Sequence, residues 1–570
     1  MKNREIASMF YEMADVLEMQ GVDWKPNAFR KAARSIEGLS APIEQVYAKG
    51  GVKALMEIPG IGQALSSKIE EFLKTGKMRE FDKLVKSIPA GVEEMMHVPS
   101  LGPKKVMVLY KKLRIKSLAE LESAAKAGKL NKLAGFGAKS EQHILRGLGI
   151  LKQGAGRSLL GVALPLAREF AERLSQVPGV KKAEPAGSLR RMNESVGDID
   201  ILVISSKPEK VMDFFTNMPE VQSVLAKGPT KSTVILKDGI QSDVRVLDEK
   251  SFGAALQYFT GSKDHNIILR QIAIKKGCKL SEYGLFKKDR YVCGRNEKEV
   301  YAKLGLPYIE PELRENQGEI EAALKHKLPK IIPYDAISGD LHMHTKWSDG
   351  LHTIEQMARA AEKMGYKYIA ITDHSKSQHI AHGMEEKRLV QYLKEIDKVQ
   401  DKVKIRILKG SEVEVLADGS LDYSDKILKQ LDIVLAAVHS GFKAPRLQTT
   451  KRILKALSNP HVNILVHPTG RLINQRDPLD FDFDKVASFA AKQGIALEID
   501  SYPARLDLKD ALARRAVELG CKLSIDTDSH AVDHLRFMEL GIAQARRGWV
   551  ETKDVINAWP LAKLEKFLCR

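Results

Sequence analysis

Cysteine is scarce in this chain of 570 residues, which carries Cys278, Cys293, Cys521 and Cys569. None of them forms a C-x-x-C pair, so their spacing does not predict a cysteine-bound zinc ion and fits a reducing compartment. Long apolar runs are also lacking, because no stretch approaches the roughly 20 residues that cross a bilayer. Residues 1–5 lack the apolar core of a signal peptide. We therefore expect a cytoplasmic protein that does not bind a membrane.

Acidic residues are outnumbered, since 91 Lys and Arg against 73 Asp and Glu give a net charge of +18. A basic balance favours a polyanionic partner. The excess is local: residues 101–150 carry 11 basic and 3 acidic side chains, whereas residues 1–100 carry 14 of each. A chain of this length implies several domains, and we expect the region around residues 101–150 to bind nucleic acid.

Two carboxylates lie at the start of a short, mainly apolar run at residues 199–204, one just before it and one within it. The run is rich in β-branched residues and predicts a buried strand. Asp198 and Asp200 are two residues apart, so on a strand they project from one face. Two carboxylates at the start of a buried strand are costly unless a cation lies between them. This pattern predicts a divalent metal site.

A third carboxylate, Asp243, lies in the second of two strand-like runs that a turn at Asp238-Gly239 separates. If this hairpin pairs beside the first strand, three carboxylates converge. Such a site would hold two Mg²⁺ ions for in-line phosphoryl transfer, because hard cations prefer oxygen ligands.

Ahead of the pair, Gly187-Ser188 allows close backbone approach to a phosphate, to which Arg190 and Arg191 can supply charge.

This order of motifs resembles the nucleotidyltransferases, and among them the family X DNA polymerases. The resemblance continues at Tyr258-Phe259-Thr260-Gly261-Ser262, at Asn266 and Arg270, and at Glu282-Tyr283-Gly284. It implies that Asp198, Asp200 and Asp243 are catalytic. It implies a nucleotide-binding set of Gly187, Ser188, Arg191, Gly197, Tyr258, Phe259, Gly261 and Asn266.

Three Gly-containing segments within residues 1–150 resemble the helix–hairpin–helix motif, in which backbone N–H groups at a helix N-terminus face a DNA phosphate. They lie at Gly60 and Gly62, at Gly102, and at Gly135 and Gly137. The second fits more loosely, with Pro-Ser-Leu-Gly where the first has Pro-Gly-Ile-Gly. A single such turn is also typical of a plain αα-hairpin, but three in a basic helical region favour DNA binding. The expected DNA-binding set is Gly60, Gly62, Gly102, Lys104, Lys105, Gly135, Gly137, Arg245 and Arg270.

Lys68, after the first of these turns, matches the lysine with which relatives in the family remove a 5′ deoxyribose phosphate through a Schiff base. The chain departs from the family pattern, with Phe29 in place of Tyr and with Ala64 and Glu80 in place of basic residues. We expect binding of a 5′-phosphate with weak or absent lyase activity. A lysine that merely faces solvent on a DNA-binding helix remains the alternative.

In the C-terminal half, seven short apolar runs alternate with helical stretches, which predicts parallel strands. The runs begin near Gly339, Lys367, Ile405, Asp432, Val462, Ile495 and Lys522. His, Asp and Glu cluster where these runs end, which is where a β/α barrel places its active site. Imidazole and carboxylate without thiolate favour Zn²⁺, Mn²⁺ or Fe²⁺ over Ca²⁺.

The motifs H-M-H-T-x-x-S-D-G, I-T-D-H-S, G-S-E-V-E, A-V-H-S, V-H-P-T-G-R and D-T-D-S-H resemble the polymerase-and-histidinol-phosphatase (PHP) domain. The resemblance implies up to three ions, Zn²⁺ or Mn²⁺, with Glu412 bridging two of them. Asp373 and Asp526 adjoin ligands and either orient them or cap the loops. The implied ligands are His342, His344, Asp349, His374, Glu412, His439, His467, Asp528 and His530.

We therefore predict a multidomain chain with a helical N-terminal region, an α+β nucleotidyltransferase palm and a distorted (β/α)7 PHP barrel. The expected divisions are a lyase-like helical domain at 1–90, a fingers-like DNA-binding subdomain at 91–150, the palm at 151–250, a thumb-like nucleotide-binding subdomain at 251–315, a linker at 316–338 and the PHP domain at 339–570.

The predicted function is DNA-directed DNA polymerisation that fills short gaps in repair, with Mg²⁺ at the palm and with gapped or primed DNA and deoxynucleoside triphosphates as partners of a monomer. The PHP domain is expected to act as a 3′–5′ exonuclease and to cleave at abasic sites. Two alternatives stay open. The PHP domain could hydrolyse a small phosphate ester or be regulatory, or the chain could be a DNA-binding scaffold, against which the intact carboxylates argue.

Overall fold

The computed structural model describes residues 157–569 without a gap, and residues 2–22, 24–37, 43–58, 60–85, 87–88, 91–92, 94–98, 101–133, 135–137, 140–142, 144–145 and 148 of the N-terminal part. Within these ranges, no helix is both long and apolar enough to span a membrane.

The N-terminal helices bury apolar faces in two small cores. In the first, the rings of Phe10 and Phe29 meet edge to face, 5.4 Å between centroids. The second lies around Leu109 and Phe136. The helices of the first core are α1 Lys2–Met19, α2 Lys25–Glu37, α3 Ile43–Met56, α4 Gln63–Thr75 and α5 Arg79–Val85. Those of the second are α6 Pro103–Leu113 and α7 Leu118–Lys126.

The palm is a five-stranded mixed sheet in the order β2-β4-β7-β6-β5, packed against α8 (Leu160–Ser175). The predicted hairpin forms with its turn at Gly239 (φ +83°), and its second strand, β7, pairs in parallel with the carboxylate-bearing β4. The strands of the five-stranded sheet are β2 Val180–Pro185, β4 Asp198–Ser205, β5 Val221–Lys227, β6 Lys231–Leu236 and β7 Gln241–Leu247. A separate two-stranded sheet pairs β1 Ser158–Leu159 with β3 Ser195–Val196. The short helices are α9 Gly187–Arg190 and α10 Pro208–Thr216.

The thumb-like region packs four helices and a three-stranded antiparallel sheet around the buried Tyr301. Residues 316–338, predicted as a linker, are not a free connection. They contain the short helix α14, whose Ile320 and Ala323 are buried in the thumb-like core because they lie three residues apart on one helix face. The elements are α11 Phe252–Thr260, α12 Lys263–Lys275, β8 Lys279–Ser281, β9 Gly284–Lys287, β10 Arg290–Cys293, α13 Glu297–Lys303 and α14 Glu319–Leu324.

The C-terminal region, described from 339 to 569, confirms the predicted barrel. Its seven strands are parallel and adjacent in chain order, and a bridge between Met343 and Ser529 brings the first and last together. The strands are β11 Gly339–Asp340, β12 Tyr368–Ile371, β13 Arg406–Glu414, β14 Ile433–Ala437, β15 Ile464–Leu465, β16 Ala496–Asp500 and β17 Leu523–Asp526. The helices are α15 Ile354–Lys363, α16 Glu386–Gln400, α17 Asp425–Leu428, α18 Arg446–Leu457, α19 Phe483–Gln493, α20 Asp510–Glu518, α21 Met538–Arg547 and α22 Leu561–Leu568.

The palm and the barrel share one hydrophobic core. Ile473, Leu506, Leu540 and Ala543 of the barrel domain belong to the same buried cluster as the residues of α8 and β4. The palm and the barrel approach each other closely at Gly161 of α8, where an added Cβ would lie 2.6 Å from the Cβ of Pro503. A bidentate ion pair between Arg168 and Glu539 flanks this contact.

Candidate active sites

The palm brings its three predicted carboxylates to one end of the sheet. Asp198 and Asp200 lie on the same face of β4, and Asp243 of β7 is the register partner of Asp200. Burial, reinforced by the charges of Asp198 and Asp243, raises the pKa of Asp200 to about 7. The Oδ1 atom of Asp243 is buried and has no hydrogen-bond partner among the described residues. Crowded, desolvated carboxylates of this kind suit a hard divalent cation such as Mg²⁺.

Gly187 packs directly against this cluster. It begins α9 with φ +66°, and an added Cβ would lie 2.8 Å from Oδ2 of Asp200. Ser188 follows it half-buried, and Gly197 lies between β3 and β4, where an added Cβ would lie 3.7 Å from Nη1 of Arg157. Glycine is therefore required at position 187 both for its conformation and for its size.

The two arginines of the Gly-Ser-Leu-Arg-Arg motif point toward the thumb-like region. Arg190 pairs with Glu297 at 2.7 Å, and Arg191 pairs with Glu315 at 2.9 Å while also donating to the carbonyl of Thr260. Glu297 is buried, which alone would raise its pKa, but Arg314 and Arg190 lower that pKa to about 2. Sequence reasoning missed these partners.

The predicted nucleotide-binding segment occupies the end of α11 and the start of α12. The ring of Phe259 lies 4.5 Å from the guanidinium of Arg245, which follows Asp243 by two residues on β7. The Asn266 side chain donates to the carbonyl of Tyr258 at 2.7 Å and accepts from Gln257 at 2.6 Å. Gly261 caps α11, and Arg270 is half-buried on α12.

The helix–hairpin–helix glycines lie at helix N-termini in two of the three segments. Gly62 and Gly102 are the N-caps of α4 and α6, and neither cap offers a side chain to the first N–H groups. Those groups are available to an anion such as phosphate. Gly60 and Gly135 have φ of +83° and +86°. Residues 59, 99–100, 134 and 138–139 of these segments lie outside the described residues, and Gly137 lies within them.

Two predicted cationic residues of the N-terminal region are engaged within the protein. The Nζ atom of Lys68 lies 2.6 Å from Oε2 of Glu80, and the Lys68 side chain is 17% exposed. Lys105 lies over the ring of Phe136 at 5.8 Å, while Lys104 is exposed.

All nine predicted ligands of the barrel gather at the carboxyl ends of its strands. Glu412 is central and 1% exposed: Oε1 lies 2.8 Å from Nε2 of His467 and 3.1 Å from Nε2 of His439, and Oε2 lies 2.8 Å from Nδ1 of His374. The Nε2 atoms of His342 and His344 are each 3.5 Å from the same oxygen.

Three overlapping clusters of these residues have the spacing of metal sites. Burial would raise the pKa of Glu412, but His374 and His439 hold it well below its usual value. Buried Glu412 Oε2 and His344 Nδ1 have no hydrogen-bond partner among the described residues, which fits bound cations. The clusters are His344, Asp349, His374 and His530; His342, His344 and Glu412; and His374, Glu412 and His439.

Two further carboxylates orient the ligands. Glu498 lies 2.7 Å from Nδ1 of His342, and Glu414 lies 2.7 Å from Nδ1 of His439, so each fixes the ring that presents Nε2 to the cluster. Glu414 was missed in the sequence, although its i+2 spacing from Glu412 on a strand places it on the same face.

Among the described residues, the side chains of Asp373 and Asp526 accept no hydrogen bond from a predicted ligand side chain. Asp373 accepts from Thr345 and Ser348 and so closes the loop after β11, and Asp526 accepts from the backbone of Leu341. Both therefore act as loop caps. Two of the predicted ligands, His467 (φ +30°) and Asp528 (φ +48°), have left-handed backbone conformations, a strain that is typical of functional sites.

Two predicted ligands follow β17: His530 belongs to the first cluster, and Asp528 lies beside the first two. The Nε2 atom of His344 is 3.1 Å from Oδ1 of Asp528, and Nε2 of His530 is 3.4 Å from Oδ1 of Asp349. The arrangement can hold several ions of the kind that imidazole and carboxylate prefer, Zn²⁺ or Mn²⁺.

Comparisons with known proteins match four parts of the chain to family models. Residues 1–78 match a helix-hairpin-helix domain model, 92–149 a SAM-like helix-hairpin-helix tandem, 255–315 the DNA polymerase beta thumb and 340–501 the PHP domain. The chain is 40% identical over 576 residues, the full length of both chains, to the DNA polymerase/3′-5′ exonuclease PolX of Bacillus subtilis (strain 168).

Other relatives match one part of the chain. DNA polymerase lambda of Rattus norvegicus is 24% identical over 345 residues, 55% of this chain and 56% of the relative. A probable phosphatase of Thermoanaerobacter sp. (strain X514) is 29% identical over 242 residues, 40% of this chain and 93% of the relative.

Proposed function

Because this chain belongs to the PolX group of family X DNA polymerases, we propose that it fills short gaps in DNA with its palm and trims 3′ ends with its barrel. The convergence of Asp198, Asp200 and Asp243 carries the first assignment. Gapped or primed DNA and deoxynucleoside triphosphates are the proposed partners. The scarce cysteine supports a cytoplasmic protein, and we propose that it acts as a monomer.

In the palm, the three carboxylates would hold Mg²⁺, which supplies positive charge for in-line transfer of the nucleotidyl group. The unpartnered Oδ1 of Asp243 is the proposed acceptor for the proton of the primer 3′-hydroxyl. Gly187 lets the backbone approach the triphosphate, and Arg191 supplies charge to it. Asn266, held between Tyr258 and Gln257, contacts the nucleotide from the thumb-like side.

In the barrel, the nine His, Asp and Glu residues would hold up to three ions, Zn²⁺ or Mn²⁺, which lower the pKa of bound water and so provide a nucleophile. Glu412 would bridge two of them, as its short distances to histidines on both carboxylate oxygens suggest. Glu498 and Glu414 keep His342 and His439 in place. The proposed substrate is the 3′ end of a DNA strand, and cleavage at abasic sites is the finer proposal.

A second candidate function for the barrel is hydrolysis of a small phosphate ester. The likeness to a probable phosphatase along 93% of that relative favours it. Fusion to helix–hairpin–helix regions favours DNA. Comparing the purified protein on a small phosphomonoester and on primed DNA distinguishes the two, because only one substrate should be turned over efficiently.

The test of the main proposal separates the two sites. On a gapped duplex with a labelled primer, Asp243→Ala should abolish extension and leave DNA binding and 3′ degradation intact. His344→Ala should abolish degradation and leave extension intact. Asp238→Ala, on the exposed turn of the same hairpin, and His461→Ala, outside the cluster, are matched controls. Extension by Asp243→Ala at a near-normal rate, or degradation by His344→Ala, would show the assignment to be wrong.

A further inference from the structure

The last residue of α21, Arg547, reaches from the barrel domain into the palm. Its Nη1 donates to the backbone carbonyl of Arg191 at 2.8 Å and to Oε1 of Glu315 at 2.9 Å. Its Nε and Nη2 donate to Oδ2 of Asp510 at 3.0 and 2.8 Å. The Arg547 side chain is 9% exposed, and all three of its guanidinium nitrogens donate hydrogen bonds within the interface.

Arg191 is held by the same carboxylate. Its Nε donates to Oε1 of Glu315 at 2.9 Å and its Nη1 to the carbonyl of Thr260, whereas its Nη2 donates to no described residue. Burial and Asp243 raise the pKa of Asp198, and the charges of Arg157 and Arg191 oppose that rise. The charge of Arg191 therefore acts on Asp198, and its Nη2 is available to a phosphate.

A second contact from the barrel fixes the same palm segment three residues later. Arg471 donates to Glu194 at 2.8 Å, and the carbonyl of Glu194 in turn accepts from Leu160. The segment that joins the phosphate-approach helix α9 to the catalytic strand β4 is thus held by barrel residues at its start, Arg191, and at its middle, Glu194.

We propose that Arg547 of the barrel domain is a positioning residue of the polymerase site, acting through Glu315 to hold Arg191 for the triphosphate of the incoming nucleotide. The inference rests on the proposed function, in which Arg191 contacts that triphosphate. Arginine has many rotamers, and holding it in the bound geometry before the nucleotide arrives removes an entropic cost of binding. The barrel thereby contributes to nucleotide affinity without touching the nucleotide.

The test uses single-nucleotide insertion by the full-length protein on a one-nucleotide gap. Arg547→Met and Glu315→Gln each remove the ion pair between Arg547 and Glu315, one from each side. Each should raise the KM for the nucleotide about tenfold, which corresponds to the loss of one charge-assisted hydrogen bond. Inhibition by inorganic pyrophosphate should weaken by the same factor, because pyrophosphate uses the same guanidinium. The kcat, DNA affinity and 3′ degradation, measured well below the thermal midpoint, should change little. The thermal midpoint should fall, because the carboxylates of Asp510 and Glu315 lose a buried partner.

The matched control is Arg168→Met, which removes a bidentate ion pair of the same palm–barrel interface that does not touch Arg191. It should leave the KM for the nucleotide unchanged. A rise in KM no greater than the control's, or a loss of 3′ degradation in parallel with the rise in KM, would overturn the inference. A wild-type protein that does not extend the primer would instead overturn the proposed function.

Discussion

At the scale of single residues, the polymerase site depends on a position where no side chain fits. Gly187 has φ +66°, and an added Cβ would lie 2.8 Å from the Asp200 carboxylate. We expect Gly187→Ala to displace that carboxylate and to lower kcat for extension at least about a hundredfold, since a shift of about 1 Å in a catalytic group has that effect. Primer-extension kinetics measure it.

Gly239 provides a control for backbone strain alone. It has φ +83° in the turn between β6 and β7, and an added Cβ would meet no atom within 4 Å. Gly239→Ala should therefore keep extension within a few-fold of the wild-type rate. Equal losses in the two variants would show that the contact with Asp200 is not the cause.

The engagement of Lys68 leads to a prediction about lyase activity. Glu80 lies 2.6 Å from the Lys68 amine and must move before the amine can attack a sugar. Glu80→Lys removes this partner and restores the basic residue of the family pattern. Borohydride trapping on a 5′-incised abasic duplex should rise by roughly fivefold, because a partly exposed ion pair is worth at most about 1 kcal/mol.

A matched variant is Glu71→Lys, which removes the partner of Arg79 on the neighbouring helices but leaves Lys68 paired. It should not change trapping. Efficient trapping by the wild-type protein that is abolished in Lys68→Ala would contradict the expectation of a weak lyase.

Sequence patterns could identify the residues that carry chemistry but not those that hold them. Asp198 and Asp200 are recognisable because strand periodicity places them on one face. Glu315 is 124 residues from its partner Arg191, and no spacing rule connects them. The same holds for Glu498 and His342, which are 156 residues apart. Such pairs are brought together only by the tertiary fold.

At the scale of elements, the seven barrel strands begin within two residues of the predicted positions. Buried parallel strands are continuous apolar runs bounded by turns, which makes them visible in a single sequence. Helix α14 was missed because its six residues, Glu319–Leu324, are too few to show a helical period. Its existence depends on the thumb-like core into which it packs, which the sequence does not display.

Helix α6 leads to a prediction about DNA affinity. Its N-cap is Gly102, and its lysines are mostly exposed on the strongly basic part of the chain. Replacing Lys104, Lys105, Lys111 and Lys112 by Gln should weaken binding similarly for all DNA sequences. The log–log dependence of affinity on salt should flatten by roughly one unit for each lysine–phosphate ion pair that the substitutions remove.

The control replaces an equal number of exposed lysines on or beside α16 of the barrel, at Lys387, Lys394, Lys398 and Lys402. Salt titrations of binding to two unrelated duplexes compare the sets. An unchanged slope for the α6 set, or an equal change for the α16 set, would place the DNA-binding surface elsewhere.

At the scale of the whole molecule, the two catalytic regions are joined by a common core and not by a flexible tether. Leu506 and Leu540 of the barrel domain are buried among palm residues, and Gly161 of the palm abuts Pro503. Removing residues 339–570 would therefore expose apolar palm surface, at a cost of about 1.5–3 kcal/mol for each large side chain. A chain that ends near residue 338 should be less stable than the palm within the full protein.

Leu540→Ala tests whether the palm and the barrel unfold together. Leu540 is 5% exposed in the shared core, so the substitution should cost about 2–5 kcal/mol. Because that core belongs to both regions, the temperatures at which polymerase and 3′-degradation activities disappear should fall together. Leu109→Ala, in the separate core around Leu109 and Phe136, should not lower the two temperatures together. Loss of polymerase activity at a temperature where Leu540→Ala still degrades DNA would show that the two regions unfold independently despite their common core.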